Sequence, residues 1–266
     1  MRRITMAILG LMLMALSALA SPALAKTAPL PGEKLVQIPS RPGITISVYA
    51  LGPSGAPGAD VIIFPGGDGI IGTQGDNFLL RTRAKYAAAG FLVVSVGMPS
   101  DHKDGLTAKT RSTPEYAQDI AAVIAWIRQK NNKPIWLIGT STGTISAANV
   151  ASRLTGAAGP HGLIMTSTFV PPPSTNAPPI YTWVDLSAIA IPTLFVHNKE
   201  DGCRTSPFTN LQPLIDRVNH APKKELITVS GGLPPTSEPC DALSRHGYLG
   251  LEDQVVGSIV NWIKAN

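Results

Sequence analysis

The chain has 266 residues, with 22 Lys and Arg against 17 Asp and Glu, for a formal net charge of +5. This is the length of one large or two small domains, and the charge excess is too small and too dispersed for a nucleic-acid-binding surface. With only two cysteines and five scattered histidines, no metal-ligand spacing is visible and none is expected.

The first 25 residues carry a targeting pattern. Arg2 and Arg3 precede an apolar run, 6–20, and Ala23-Leu24-Ala25 supplies the small-x-small pattern read by a signal peptidase. The run is shorter than the ~18 residues of a membrane span and has no positive stop-transfer flank. The expectation is therefore export with cleavage after Ala25, to a periplasmic or extracellular location. Residues 26–266 then form a single domain of 241 residues with 20 basic and 17 acidic side chains. No later segment reaches membrane length, so no stable membrane span is expected. Cys203 and Cys240, alone in an oxidising compartment, are expected to form a disulfide.

Along the mature chain, apolar runs alternate with helical patterns. Residues 36–48 alternate loosely and read as one or two antiparallel edge strands. Val61-Ile62-Ile63-Phe64 is a continuous buried-strand pattern ending at Pro65-Gly66-Gly67. An Ala-rich helical stretch, 77–89, leads to a strand at 91–96. Ser112-Thr113-Pro114-Glu115 opens a helix over 113–129, with Pro in its first turn. A strand at 135–138 follows, then strands at 162–167, 193–196 and 225–229. Residues 251–264 place Leu251, Val255, Val256, Ile259, Trp262 and Ile263 at helical spacing, which predicts an amphipathic closing helix. Continuous apolar strands separated by helices imply a parallel sheet covered on both faces. The Pro-rich segment 171–179 reads as a surface loop.

The chemistry centres on Gly139-Thr140-Ser141-Thr142-Gly143. An apolar strand leads into it and a small-residue stretch, 144–151, leads out as a helix. A strand-to-helix turn this sharp crowds its backbone, and flanking glycines relieve the crowding. The turn raises the Ser141 hydroxyl above the sheet edge and aims the Thr142 N–H at the reacting oxygen, where the helix N-terminus favours negative charge. A serine needs a base to be a useful nucleophile. Asp201 stands on a loop just past the strand at 193–196, with Glu200 its neighbouring rival and Asp185 a further one. His246 lies after the last strand and before the closing helix. His102, His161, His197 and His220 are read as surface histidines. If bridged, Cys203 and Cys240 tie the Asp201 loop to the His246 loop.

These elements, with the Gly139–Gly143 pentapeptide, Asp201 and His246, resemble the α/β-hydrolase superfamily over most of residues 36–264. The resemblance implies an α/β-hydrolase fold, a mostly parallel sheet of about eight strands with helices on both faces, and an acyl-enzyme mechanism with Ser141, Asp201 and His246 as catalytic triad. It places the oxyanion loop at Phe64-Pro65-Gly66-Gly67-Asp68-Gly69, with Pro65-Gly66 where the family often has His-Gly. The N–H of Gly67 or of Asp68 is then the second oxyanion donor beside Thr142, and the Asp68 charge, if turned to the site, disfavours anionic substrates. The segment between 169 and 193 is where relatives insert a lid. Here it is short, which implies a small or absent lid, with Tyr181, Trp183 and Val184 either lining the site or packing. The expected activity is hydrolysis of a small-molecule carboxylic ester, without cofactor or metal. A serine peptidase, an acyltransferase on the same triad, or a non-catalytic binding protein on a hydrolase scaffold are the alternatives, and monomer and homodimer stay open.

Overall fold

The computed structural model describes residues 29–71 and 75–266; the signal sequence expected at 1–25 lies outside the described residues. Eight strands form one sheet in the order β1-β2-β4-β3-β5-β6-β7-β8. They are β1 (Lys34–Arg41), β2 (Ile44–Leu51), β3 (Ala59–Phe64), β4 (Phe91–Pro99), β5 (Ile135–Thr140), β6 (Gly162–Thr166), β7 (Thr193–Asn198) and β8 (Lys224–Val229). β1 pairs antiparallel with β2, and β2 antiparallel with β4. Every pairing from β4 through β3, β5, β6 and β7 to β8 is parallel. The loosely alternating segment is thus a two-stranded edge. β3 and β5 are buried along their whole length, as continuous apolar runs require.

Six helices cover the sheet: α1 (Phe78–Ala88), α2 (Ala108–Arg111), α3 (Pro114–Arg128), α4 (Gly143–Arg153), α5 (Leu211–Arg217) and α6 (Glu252–Ala265). The period-2 alternation of the strands sorts their side chains between two cores. Ile62, Phe64 and Leu137 point to the layer made by α3, α4 and α5. Val61, Ile63, Trp136 and Ile138 point to that of α1 and α6. The helix starts follow from their caps. Asn77 accepts from the Leu79 N–H, and Thr113 accepts from the Tyr116 N–H before a helix that opens on Pro114. The closing helix buries Val255, Val256, Ile259, Trp262 and Ile263, its predicted apolar stripe.

Parallel strands leave the C-terminal ends of β3, β5, β6 and β7 along one edge of the sheet, where functional sites of open α/β sheets gather. Between β6 and β7 the chain makes only three short 3-10 turns, Pro173–Thr175, Ile180–Thr182 and Leu186–Ala188, so no helical lid stands over that edge. Val184 is buried, Trp183 stacks on Phe169 and Tyr181 lies under the Arg217 guanidinium. All three are engaged in packing.

Candidate active site

Ser141 follows the last residue of β5 and has φ of +53°, a left-handed conformation that a non-glycine residue adopts only where its surroundings impose it. What imposes it is the immediate start of α4. The Ser141 carbonyl accepts from the Thr144 N–H at 3.0 Å and from the Thr144 hydroxyl at 2.6 Å, while its own N–H donates to the Thr166 carbonyl at 3.1 Å. Glycine is sterically required at 143, where a Cβ would fall 2.1 Å from the Phe64 carbonyl oxygen. The oxyanion loop also comes close. A Cβ on Gly66 would lie 2.9 Å from the Ser141 Cβ and 3.6 Å from its Oγ.

That loop is held by its carbonyls. Gly69 N–H donates to the Gly66 carbonyl at 3.2 Å, and Leu106 N–H donates to that of Asp68 at 2.7 Å. The Gly67 carbonyl accepts twice, from the Thr142 hydroxyl at 3.0 Å and from Arg111 Nη2 at 3.2 Å. The Gly67 and Thr142 N–H groups have no acceptor among the described residues. The Asp68 carboxylate turns back on its own loop and accepts from the Ile70 N–H at 2.8 Å.

On the other side of Ser141, the Asp201 carboxylate is fully buried and has one oxygen 2.8 Å from His246 Nδ1. The second oxygen accepts from the Cys203 N–H at 2.8 Å. A carboxylate beside one ring nitrogen fixes the tautomer: Nδ1 carries the proton and donates it, which leaves the Nε2 lone pair free. His246 Nε2 is buried and has no hydrogen-bond partner. The His246 loop is positioned from three directions. Ser244 Oγ accepts from the His246 N–H at 3.1 Å, Ser167 Oγ donates to the His246 carbonyl at 2.6 Å, and Arg81 donates to the Gly247 carbonyl. Tyr248, buried with φ of +59°, receives the Ser167 N–H at 2.9 Å and donates to the Val196 carbonyl at 2.7 Å. Consecutive residues at the end of β6, Thr166 and Ser167, thus anchor Ser141 and His246.

Cys203 and Cys240 form a disulfide that joins the Asp201 loop to the His246 loop. The rival carboxylates are occupied elsewhere. Glu200 pairs with Arg245 and accepts from the Gly231 N–H, and Asp185 accepts from the Ser187 N–H and hydroxyl on an exposed turn. One reading from sequence needs correction. His197 is fully buried, not a surface residue, because β7 is covered on both faces up to its last residues. Its Nε2 lies 2.9 Å from the Ser206 carbonyl and 3.5 Å from the Asp201 carboxylate. Burial pushes its pKa below the ordinary histidine value. His197, Arg111, Ser167 and Tyr248 are the supporting residues that sequence reasoning missed.

Among the described residues, no cluster of His, Cys, Asp and Glu has the makings of a metal site, and no helix is long and apolar enough to cross a membrane. A cavity of about 490 Å3, lined by Phe91, Trp136, His161 and Lys264 among others, lies at the opposite, N-terminal edge of the strands.

No family model matches the sequence, and no curated protein does. Solved structures do. A serine hydrolase homologue from Coxiella burnetii superposes with a TM-score of 0.59 at 20% identity, over 85% of this chain and 96% of that one. A lidless α/β serine hydrolase from Xanthomonas campestris gives a TM-score of 0.58 at 15% identity, over 87% and 97%. The chain has the α/β-hydrolase fold. A third α/β hydrolase, esterase 2 of Thermogutta terrifontis in its form phosphoramylated by tabun, gives 0.58 at 14% identity over 89% and 98%. This fold has its eight strands in a mostly parallel sheet, as here, and the lidless Xanthomonas structure shares the bare C-terminal edge.

Proposed function

We propose that this α/β-hydrolase-fold chain is an exported serine hydrolase that cleaves a small carboxylic ester through an acyl-Ser141 intermediate. The observation that carries the reading is the His246–Asp201 pair: a 2.8 Å Nδ1 contact, a buried and unpartnered Nε2, and a shared anchor at 166 and 167 with the Ser141 elbow. In this reading His246 Nε2 takes the proton as Ser141 Oγ attacks the acyl carbonyl. Asp201 keeps the ring in the required tautomer and stabilises the imidazolium. His246 then returns the proton to the leaving alcohol, and water repeats the sequence to release the acid.

The tetrahedral oxyanion is assigned to the N–H groups of Thr142 and Gly67. Peptide geometry favours Gly67 over Asp68. In a trans peptide the carbonyl and the next N–H point in opposite directions. The Gly67 carbonyl points at the Thr142 hydroxyl, so the Asp68 N–H is directed away from Thr142. The Gly67 N–H belongs to the peptide that starts at Gly66, beside Ser141. Each such donor is worth about 3 kcal/mol in the transition state. The bare edge between β6 and β7 suits soluble esters with short acyl groups over long-chain lipids. Export agrees with the disulfide, whose cysteines would stay reduced in a cytosol.

The test is a fluorophosphonate probe followed by p-nitrophenyl esters of graded acyl length. Covalent labelling at Ser141 and turnover of the acetate and butyrate esters, both lost in Ser141→Ala, are expected. A folded wild-type chain that neither labels nor turns over any ester would overturn the reading. An organophosphate adduct is known for the structurally similar Thermogutta esterase, which makes the probe an apt choice.

A further inference from the structure

Arg111 is the one buried cation in the core that the proposed mechanism leaves without a task. It closes α2, is almost fully buried and makes no ion pair among the described residues. Its Nη1 donates to the Ser146 hydroxyl on α4 at 2.9 Å, its Nη2 donates to the Gly67 carbonyl at 3.2 Å, and its Nε has no partner. Burial lowers the guanidinium pKa, opposed by Tyr116 and by Asp68. A buried charge without a carboxylate in contact is costly, and two neutral acceptors offset little of that cost. An apolar side chain would fill the same space with less penalty. The placement therefore asks for a reason outside packing, and what Arg111 touches is the oxyanion loop.

That loop has reason to need holding. Gly66, Gly67 and Gly69 bring little steric resistance to a peptide flip, and Gly67 sits at φ of +59°. A flip of the Gly67–Asp68 peptide would bring its N–H round and turn its carbonyl off Thr142, altering the donor set the oxyanion meets. We propose that Arg111 is a positioning residue for ester cleavage: with the Thr142 hydroxyl it clamps the Gly67 carbonyl, fixes the loop with the Gly67 N–H presented to the oxyanion, and sets a positive charge behind that donor. The inference rests on the hydrolase reading above. It adds that the clamp is worth more to the transition state than to the bound ester. A carbonyl held before the reaction begins needs no reorganisation as charge develops, and a fixed cation is felt only by the oxygen that becomes negative.

The experiment compares Arg111→Met, Arg111→Lys, Thr142→Val and Thr142→Ser with wild type on p-nitrophenyl acetate and on a trifluoromethyl ketone inhibitor, which forms a tetrahedral adduct with a serine nucleophile. Arg111→Met is expected to lower kcat about 100-fold with KM changed less than about threefold, and to raise the inhibitor Ki in step with the loss of kcat/KM. Arg111→Lys keeps the charge but not both contacts, and should recover about tenfold of that loss. Thr142→Val, at a half-buried position that tolerates the change, should cost about tenfold in kcat, and Thr142→Ser should restore it. Hydrogen exchange of the 64–69 segment supplies a readout apart from turnover and should quicken in Arg111→Met and Thr142→Val. If Arg111→Met does not fold, the Thr142 pair and Arg111→Lys decide. Wild-type kcat, Ki and loop exchange in Thr142→Val and Arg111→Lys would overturn the clamp and leave the hydrolase reading standing. An inactive, unlabelled wild type would overturn both, and faster loop exchange in the variants would then show a structural clamp only.

Discussion

The two halves of the site are held in opposite ways. On the nucleophile side, β3, β5 and α4 meet directly, and the geometry comes from backbone contact so close that a single methyl group has no room. On the base side, Asp201 and His246 stand on loops 45 residues apart in sequence, and the geometry comes from a disulfide and a set of side-chain hydrogen bonds. The first half is rigid because it is local and crowded. The second is assembled over distance and needs a covalent tie. The halves should therefore fail differently when broken.

The largest effect is expected on the crowded side. Gly143→Ala places a methyl 2.1 Å from the Phe64 carbonyl oxygen and 2.8 Å from that of Pro65, both backbone atoms of the strand that leads into the oxyanion loop. The elbow must shift off that loop. We expect a loss of about 3 kcal/mol of stability for overpacking and at least about 100-fold in kcat/KM, because the nucleophile moves relative to its donors. Thermal unfolding and ester turnover on the same preparation check both. Near-normal turnover in a destabilised variant would show that the close contact serves folding alone.

The disulfide is the corresponding lever on the base side. Its sequence separation of 37 residues corresponds to about 4 kcal/mol in the chain-entropy model of cross-links. The double variant Cys203→Ser, Cys240→Ser should lose stability of that order. Measured at equal folded fraction, it should also lose about three- to tenfold in kcat, since Cys203 directly follows Gly202 and its N–H holds the Asp201 carboxylate. Full kcat at equal folded fraction would confine the bridge to stability.

This asymmetry also explains what was legible from sequence. The nucleophile half is contiguous, so strand, elbow and helix were readable within 20 residues, and Asp201 and His246 were readable from their places behind later strands. Arg111 was not. It closes a four-residue helix with no periodic pattern, in a Lys109-Thr110-Arg111 run that reads as surface. Its burial follows from the approach of α4 and the oxyanion loop, which no local pattern encodes. His197 was dismissed for standing at a strand end. The continuous apolar run before it was nonetheless a signal, because a strand covered on both faces buries its polar residues too. Tyr248 and Ser167 carry no local signature, since their partners are main-chain groups brought near only by the fold.

A smaller effect is expected from His197, which tests whether the base side relies on more than its covalent tie. Its short contact to the Ser206 carbonyl assigns the proton to Nε2, the nitrogen that also faces Asp201. Burial keeps the ring neutral. His197→Phe removes that donor while roughly keeping the volume. The Asp201 charge is then shared less and acts more strongly on His246, which stabilises the imidazolium. The acid limb of the kcat/KM profile should move to higher pH by about 0.5, with kcat on the plateau lowered about threefold. An unmoved acid limb would make His197 a packing residue.

The smallest effect lies on the nucleophile side, at the far end of the strand that carries the oxyanion loop. Asp60 is fully buried near the start of β3, with one oxygen 3.1 Å from Asn131 Nδ2 and the other without a partner. Burial raises its pKa to about 6, against opposing pulls from Asn131 and Lys133. Because the folded value lies above the ordinary carboxylate value of 3.8, the native state binds more protons than the unfolded chain between about pH 4 and pH 6. Stability contributed by this group is complete below that window and falls as pH rises through it. Asp60→Asn should remove that slope and raise stability at pH 7 by on the order of 1 kcal/mol, a figure discounted for screening by Lys133 and water. Denaturant midpoints at pH 4.5 and pH 7 measure it. Ester turnover should be unchanged, because a crowded half transmits strain at its contacts and Asp60 lies a strand's length from Phe64. If turnover fell with the slope, β3 would couple its two ends, and the nucleophile side would be less local than its geometry indicates.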